Sequence, residues 1–85
     1  MEEENEMVLQ KYKVILLNDE VNSMAKVVAA MRVIAGIPIE EAVNLTLAIN
    51  EEGTGVVGVW HYEVAETIVA HFKKAGLTST LVKTA

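Results

Sequence analysis

The chain has 85 residues, with seven basic and twelve acidic side chains, a net charge of −5 and no cysteine. That length allows one small domain with a single core, and the lack of cysteine excludes disulfides, thiolate metal sites and a cysteine nucleophile. Although 52% of the residues are hydrophobic, no apolar run approaches the roughly 18 residues of a membrane span, and the opening Met-Glu-Glu-Glu-Asn-Glu is acidic where a signal peptide is basic and then apolar.

A soluble, cytoplasmic, monomeric protein is therefore expected. Glu2, Glu3, Glu4 and Glu6 form an acidic start, which leaves a nearly balanced body of seven basic and eight acidic residues. Residues 1–10 read as a flexible acidic segment and 11–85 as the folded domain. Nucleic-acid binding needs a basic footprint to neutralise phosphates, so a peptide or protein partner fits this balance better.

Lys11 to Leu17 is the first strand, with Tyr12, Val14 and Leu16 on one side and Lys13, Ile15 and Leu17 on the other, as expected of a central strand. It stops at Asn18-Asp19. These two side chains can make the turn by bonding their own backbone, or they can present an amide and a carboxylate to a cationic group. Asn22 or Ser23 then caps a helix whose apolar positions are Met24, Val27, Val28, Met31 and Ile34, closed by Gly36. Pro38 opens a second helix, with Glu40 and Glu41 in its first turn. Ala42, Val43, Leu45, Ala48 and Ile49 form its apolar side, and it stops between Asn50 and Gly53.

Gly55 to Trp60 is the second strand, interrupted by Gly58 in a way that predicts a bulge or a close backbone approach. A third helix runs from Tyr62 to Ala75, with Val64, Ala65, Ile68, Val69 and Phe72 along one stripe and Lys73 and Lys74 at its C-terminus. Leu77 to Lys83 has the β-branched content of a closing strand. The order β-α-α-β-α-β predicts an α/β fold of the α+β sandwich type, a small three-stranded antiparallel sheet packed against three helices.

Gly53-Thr54-Gly55-Val56-Val57-Gly58 matches G-x-G-x-x-G by letter, but it follows a helix and opens a strand, the reverse of a phosphate cradle. His61 and His71 have no metal-ligand spacing, and no set of residues makes an activated nucleophile. No cofactor, metal or enzymatic activity is expected.

Three blocks of residues carry a family likeness. Tyr12-Lys13-Val14-Ile15-Leu16-Leu17-Asn18-Asp19 followed by Met24, Leu47-Ala48-Ile49-Asn50 followed by Gly53, and Gly58-Val59 followed by Glu63-Val64-Ala65-Glu66-Thr67 closely resemble the bacterial ClpS adaptors. The likeness runs from about Lys11 to the C-terminus. Members of that family are adaptors, not enzymes: they bind proteins bearing a destabilising N-terminal residue and hand them to the Clp chaperone-protease. The resemblance implies that Asn18 and Asp19 face the substrate's α-amino group. It implies a side-chain pocket lined by Leu16, Met24, Val27, Thr46, Ile49 and Leu77, with Met24 at the rim excluding side chains branched at Cβ.

A charged hydrogen bond contributes about 1.5–3 kcal/mol, and burial of a Leu or Phe side chain about 1.5–3 more. Because a micromolar complex needs roughly 8 kcal/mol, backbone hydrogen bonds from the loop Glu20 to Ser23 are expected to supply the rest.

Three positions depart from the family. Asn50 stands where the family has a histidine as third amine ligand; its amide oxygen can accept a hydrogen bond but cannot titrate. Thr46 replaces a pocket methionine, which predicts a wider, partly polar wall. Glu63 and Ile68 occupy the positions of a glutamate and a lysine that help grip the chaperone's N-terminal domain, so the lysine is missing here. The departures at Asn50 and Thr46 motivate a second reading, a scaffold or regulator that keeps the fold and docks on a Clp chaperone without reading N-termini.

Overall fold

In the computed structural model, which describes residues 10–84, the elements are β1 (Lys11–Leu17), α1 (Met24–Ala35), α2 (Ile39–Glu52), β2 (Thr54–His61), α3 (Tyr62–Lys74) and β3 (Ser79–Lys83). The expected flexible segment 1–10 lies, apart from Gln10, outside the described residues. The sheet is antiparallel with strand order β2-β1-β3. β1 is thus central, as its two-sided apolar pattern predicts.

Val14 and Leu16 are buried while Leu17 is exposed, so one face of β1 carries the core, packed against the helices with Met31, Ala42, Ala65, Val69 and Phe72. The interruption at Gly58 is a bulge, the first of its two predicted causes, and a side chain rather than a backbone lies against the glycine. Val14 pairs with Gly58 and Ile15 with Val56, so Val57 is the extra residue of a bulge. The Trp60 ring covers the same glycine, with an atom 2.4 Å from where a Cβ would stand.

Ser23 caps α1, its Oγ accepting from Lys26 N at 3.2 Å, and Gly36 closes that helix in the left-handed conformation. Pro38 is the N-cap residue of α2, one position before the helix, and Gly53 ends it with φ 91°. Two apolar-stripe assignments change: Val43 and Val64 lie on the exposed sides of their helices.

The third strand is also shorter than its composition suggests. It begins at Ser79, because Leu77 N donates to the Phe72 carbonyl and keeps Leu77 in the turn that closes α3. Ile68 is only 7% exposed and belongs to the core. A side chain so enclosed has little surface to offer a chaperone, which corrects its expected role as a contact; Glu63, on the same helix, is exposed.

Candidate functional site

The end of β1 opens into a cavity with about 400 Å³ of unfilled space, part of it open to solvent. Every residue expected at the amine site and the side-chain pocket lines it: Leu16, Asn18 and Asp19 from β1 and its exit, Met24 and Val27 from α1, Thr46, Ile49 and Asn50 from α2, and Leu77 from the turn after α3. Leu17 and Asn22 complete the lining.

Backbone contacts set this convergence. Asn18 N donates to the Gly53 carbonyl at 2.9 Å, joining the exit of β1 to the C-terminal end of α2. Leu17 N donates to the Thr78 carbonyl at 3.0 Å, joining the same exit to the turn that carries Leu77. The β2 backbone presses on Ile49: a Cβ at Gly55 would stand 2.6 Å from Ile49 Cγ1, so glycine is required for that approach.

The cavity divides into an apolar interior and a polar mouth. Leu16, Ile49 and Leu77 are buried. Thr46 is also buried, and its hydroxyl donates to the Ala42 carbonyl at 2.7 Å, with the Met31 sulfur 3.7 Å away. The hydroxyl proton is thus committed to its own helix, and this wall is less polar than the residue type suggests. Met24 is 41% exposed, in keeping with a place at the rim.

At the mouth, Asp19 makes the turn that its sequence position allows. Its Oδ1 accepts from Val21 N at 3.0 Å and Asn22 N at 2.7 Å, and its Oδ2 accepts from Asn22 Nδ2 at 3.0 Å. The backbone bond from Asn22, then the side-chain bond from Asn22, hold the carboxyl below its ordinary pKa, with smaller help from Val21 N and the Lys26 charge. Asp19 is therefore an anion at neutral pH. The turn and the ligand readings are compatible, because a carboxylate has about four acceptor positions and these donors occupy three.

The same bonds correct the expected energetics of the loop. The Val21 and Asn22 amides are engaged by Asp19, which leaves the loop's carbonyls and its other amides to meet a bound peptide. Asn22 is the mouth residue that sequence reasoning took only as a possible helix cap. The Asp-x-x-Asn spacing was the available signal, since it lets the carboxylate and the amide meet across the turn. Among the described residues, no group of three His, Asp or Glu side chains could hold a metal ion, and no helix is long and apolar enough to cross a membrane.

Comparison with known proteins identifies the family. The profile of the family described as ATP-dependent Clp protease adaptor protein ClpS matches residues 8–80. The chain is similar to the ATP-dependent Clp protease adapter proteins ClpS of Wolinella succinogenes, 43% identical over 65 residues covering 76% of this chain and 64% of that protein, and of Nautilia profundicola, 37% identical over 67 residues covering 78% and 69%. The chain thus spans about two thirds of the length of these curated relatives. Among solved structures it resembles Agrobacterium tumefaciens ClpS2 bound to L-phenylalaninamide, with a TM-score of 0.78 and 25% identity, covering 88% of this chain and 98% of that one. With the family profile matching residues 8–80 and the fold shared with a solved relative, the chain belongs to the ClpS family of Clp protease adaptor proteins.

Proposed function

We propose that this adaptor binds proteins through a free, bulky hydrophobic N-terminal residue and delivers them to a Clp AAA+ chaperone in the cytoplasm. The observation that carries this reading is the cavity itself, whose lining joins the apolar side chains of Leu16, Ile49 and Leu77 with Asn18, Asp19 and Asn50. An α-ammonium offers three N–H donors and one positive charge; the mouth offers two neutral amide oxygens and one carboxylate. Burial of the first side chain among Leu16, Ile49 and Leu77 adds the hydrophobic contribution. The Agrobacterium relative holds a ligand of this chemistry, an aromatic amino acid amide.

In this reading Asn50 accepts from the ammonium without titrating, so binding does not change through the usual histidine range near pH 6.5. It weakens as the α-amino group itself loses its proton, near pH 8, and in acid as Asp19 gains one. Met24 at the rim disfavours first residues branched at Cβ, and exposed Glu63 contributes to chaperone docking.

Short peptides beginning with Leu, Phe, Trp or Tyr, each measured against its N-acetylated twin, provide the test. The free amine is expected to bind and the acetylated form to fail. Asp19→Ala should cost the free peptides about 10–100-fold, the size of a charged hydrogen bond. Equal binding of free and acetylated peptides, or of neither, would refute recognition of N-termini and favour a chaperone-docking scaffold.

A further inference from the structure

Asn22 touches both ends of the cavity. Ser23 holds the helix cap, which frees the Asn22 side chain to turn toward the pocket. Its Nδ2 donates to Asp19 Oδ2 at 3.0 Å and to the Gly76 carbonyl at 2.9 Å, 54 positions away in sequence. A primary amide has two N–H groups, and each has a partner here. One partner is the carboxylate of the mouth, and the other belongs to the turn that leads into Leu77.

That turn is itself closely specified. Gly76 has φ +86°, a conformation that favours glycine. Beyond Gly76, Leu77 N is bound to the Phe72 carbonyl, and the Thr78 carbonyl is bound to Leu17 N.

We infer that Asn22 is the positioning residue of the site: through one amide group it aims the Asp19 carboxylate and ties the loop that carries it to the turn that carries Leu77. The inference rests on the adaptor reading above and extends it to a residue that acts through Asp19. The torsion that turns a carboxylate about its Cβ–Cγ bond is broad, so Asp19 is directed by its donors. Without the Asn22 amide, Oδ2 loses its Nδ2 donor and the amine-facing loop loses its side-chain tie to Gly76. The charge remains, but its direction and its distance from the side-chain pocket are no longer set together.

The test uses the full chain with Asn22→Ala and, as a control, Ser23→Ala, which removes a helix cap next to Asn22 and leaves its amide in place. Two quantities are read: the affinity for a Leu-initiated peptide against its N-acetylated twin, and the titration midpoint of the Asp19 carboxyl by NMR in the ligand-free protein. Asn22→Ala should weaken binding of the free peptide by about 10-fold, as for a lost hydrogen bond to a charged group, and raise the Asp19 midpoint. Binding of the acetylated twin should not change, and Ser23→Ala should match the wild type in both readings. If Asn22→Ala folds poorly, Asn22→Asp keeps the shape without the N–H donors and is expected to raise the Asp19 midpoint.

An unmoved Asp19 midpoint in the Asn22 variant would overturn the inference. So would loss of discrimination in Ser23→Ala equal to that in Asn22→Ala, since the effect would then be one of stability. Wild-type protein that binds both peptides alike would instead defeat the adaptor reading, while the ligand-free titration would still report on the Asn22 clamp.

Discussion

The cavity at the end of β1 and the outer side of α3 were both assigned residues by resemblance, yet the fold treats them differently. At the cavity, nine assigned residues from separate parts of the chain line one space. On α3 the two assigned residues part: Glu63 is exposed, whereas Ile68 enters the core. Five positions along a helix with 3.6 residues per turn place two side chains about 140° apart. Only a long polar side chain such as lysine could bring the second position back to the surface. Glu63 thus keeps a place on the surface, whereas isoleucine at position 68 suits the core.

Breaking that contrast calls for changes on both sides, and the largest effect is expected in the core. Ile68→Ala should lower unfolding stability by about 2–5 kcal/mol, the usual cost of emptying a buried aliphatic site, as measured by urea denaturation. A loss within the noise would return Ile68 to the surface and restore the family's pairing with Glu63.

At the cavity, pH is the sharper probe. Asp19 is depressed below its ordinary pKa by bonds that form only on folding. Its contribution to stability is complete above the unfolded-state value, near pH 4, and is lost as pH falls through the lower folded-state value. Asp19→Asn should therefore flatten the acid limb of stability in that window while leaving the limb above pH 5 as it was. An unchanged acid limb would show that the turn contributes nothing. The smallest effect belongs to Glu63→Ala, expected to stay within about 0.5 kcal/mol of wild-type stability while weakening association with a Clp chaperone N-terminal domain in a pull-down. Unchanged association would remove α3 from the docking surface.

Much of the fold was legible because its signals are local. Gly36 and Gly53 end their helices in the left-handed conformation that glycine adopts without a steric penalty, and the alternation in β1 predicted its central place. The limits of β3 were less legible, since the bond from Leu77 N to the Phe72 carbonyl depends on how α3 ends and not on β propensity. Val43 and Val64 were misassigned to buried stripes because their periodicity marks a helix face without saying how wide the packed face is.

At the site, Asn18 and Asp19 were readable as a turn or as ligands, and the fold supports both uses for Asp19. Neither the commitment of the Thr46 hydroxyl to Ala42 nor the reach of Asn22 to Gly76 could be read from the chain. The first depends on a rotamer inside a packed helix, and the second joins residues that only the folded sheet and helices bring within 2.9 Å.

By itself the sequence determined the order of elements, the glycines that end the first two helices, the central strand and the set of side chains available to a pocket, because each follows from residue type and spacing along a few turns of chain. The tertiary structure alone decided that the Val21 and Asn22 amides serve Asp19, and that the Asn22 amide reaches both Asp19 and the Gly76 carbonyl. These are contacts in which geometry across distant segments, not local preference, sets which donor meets which acceptor.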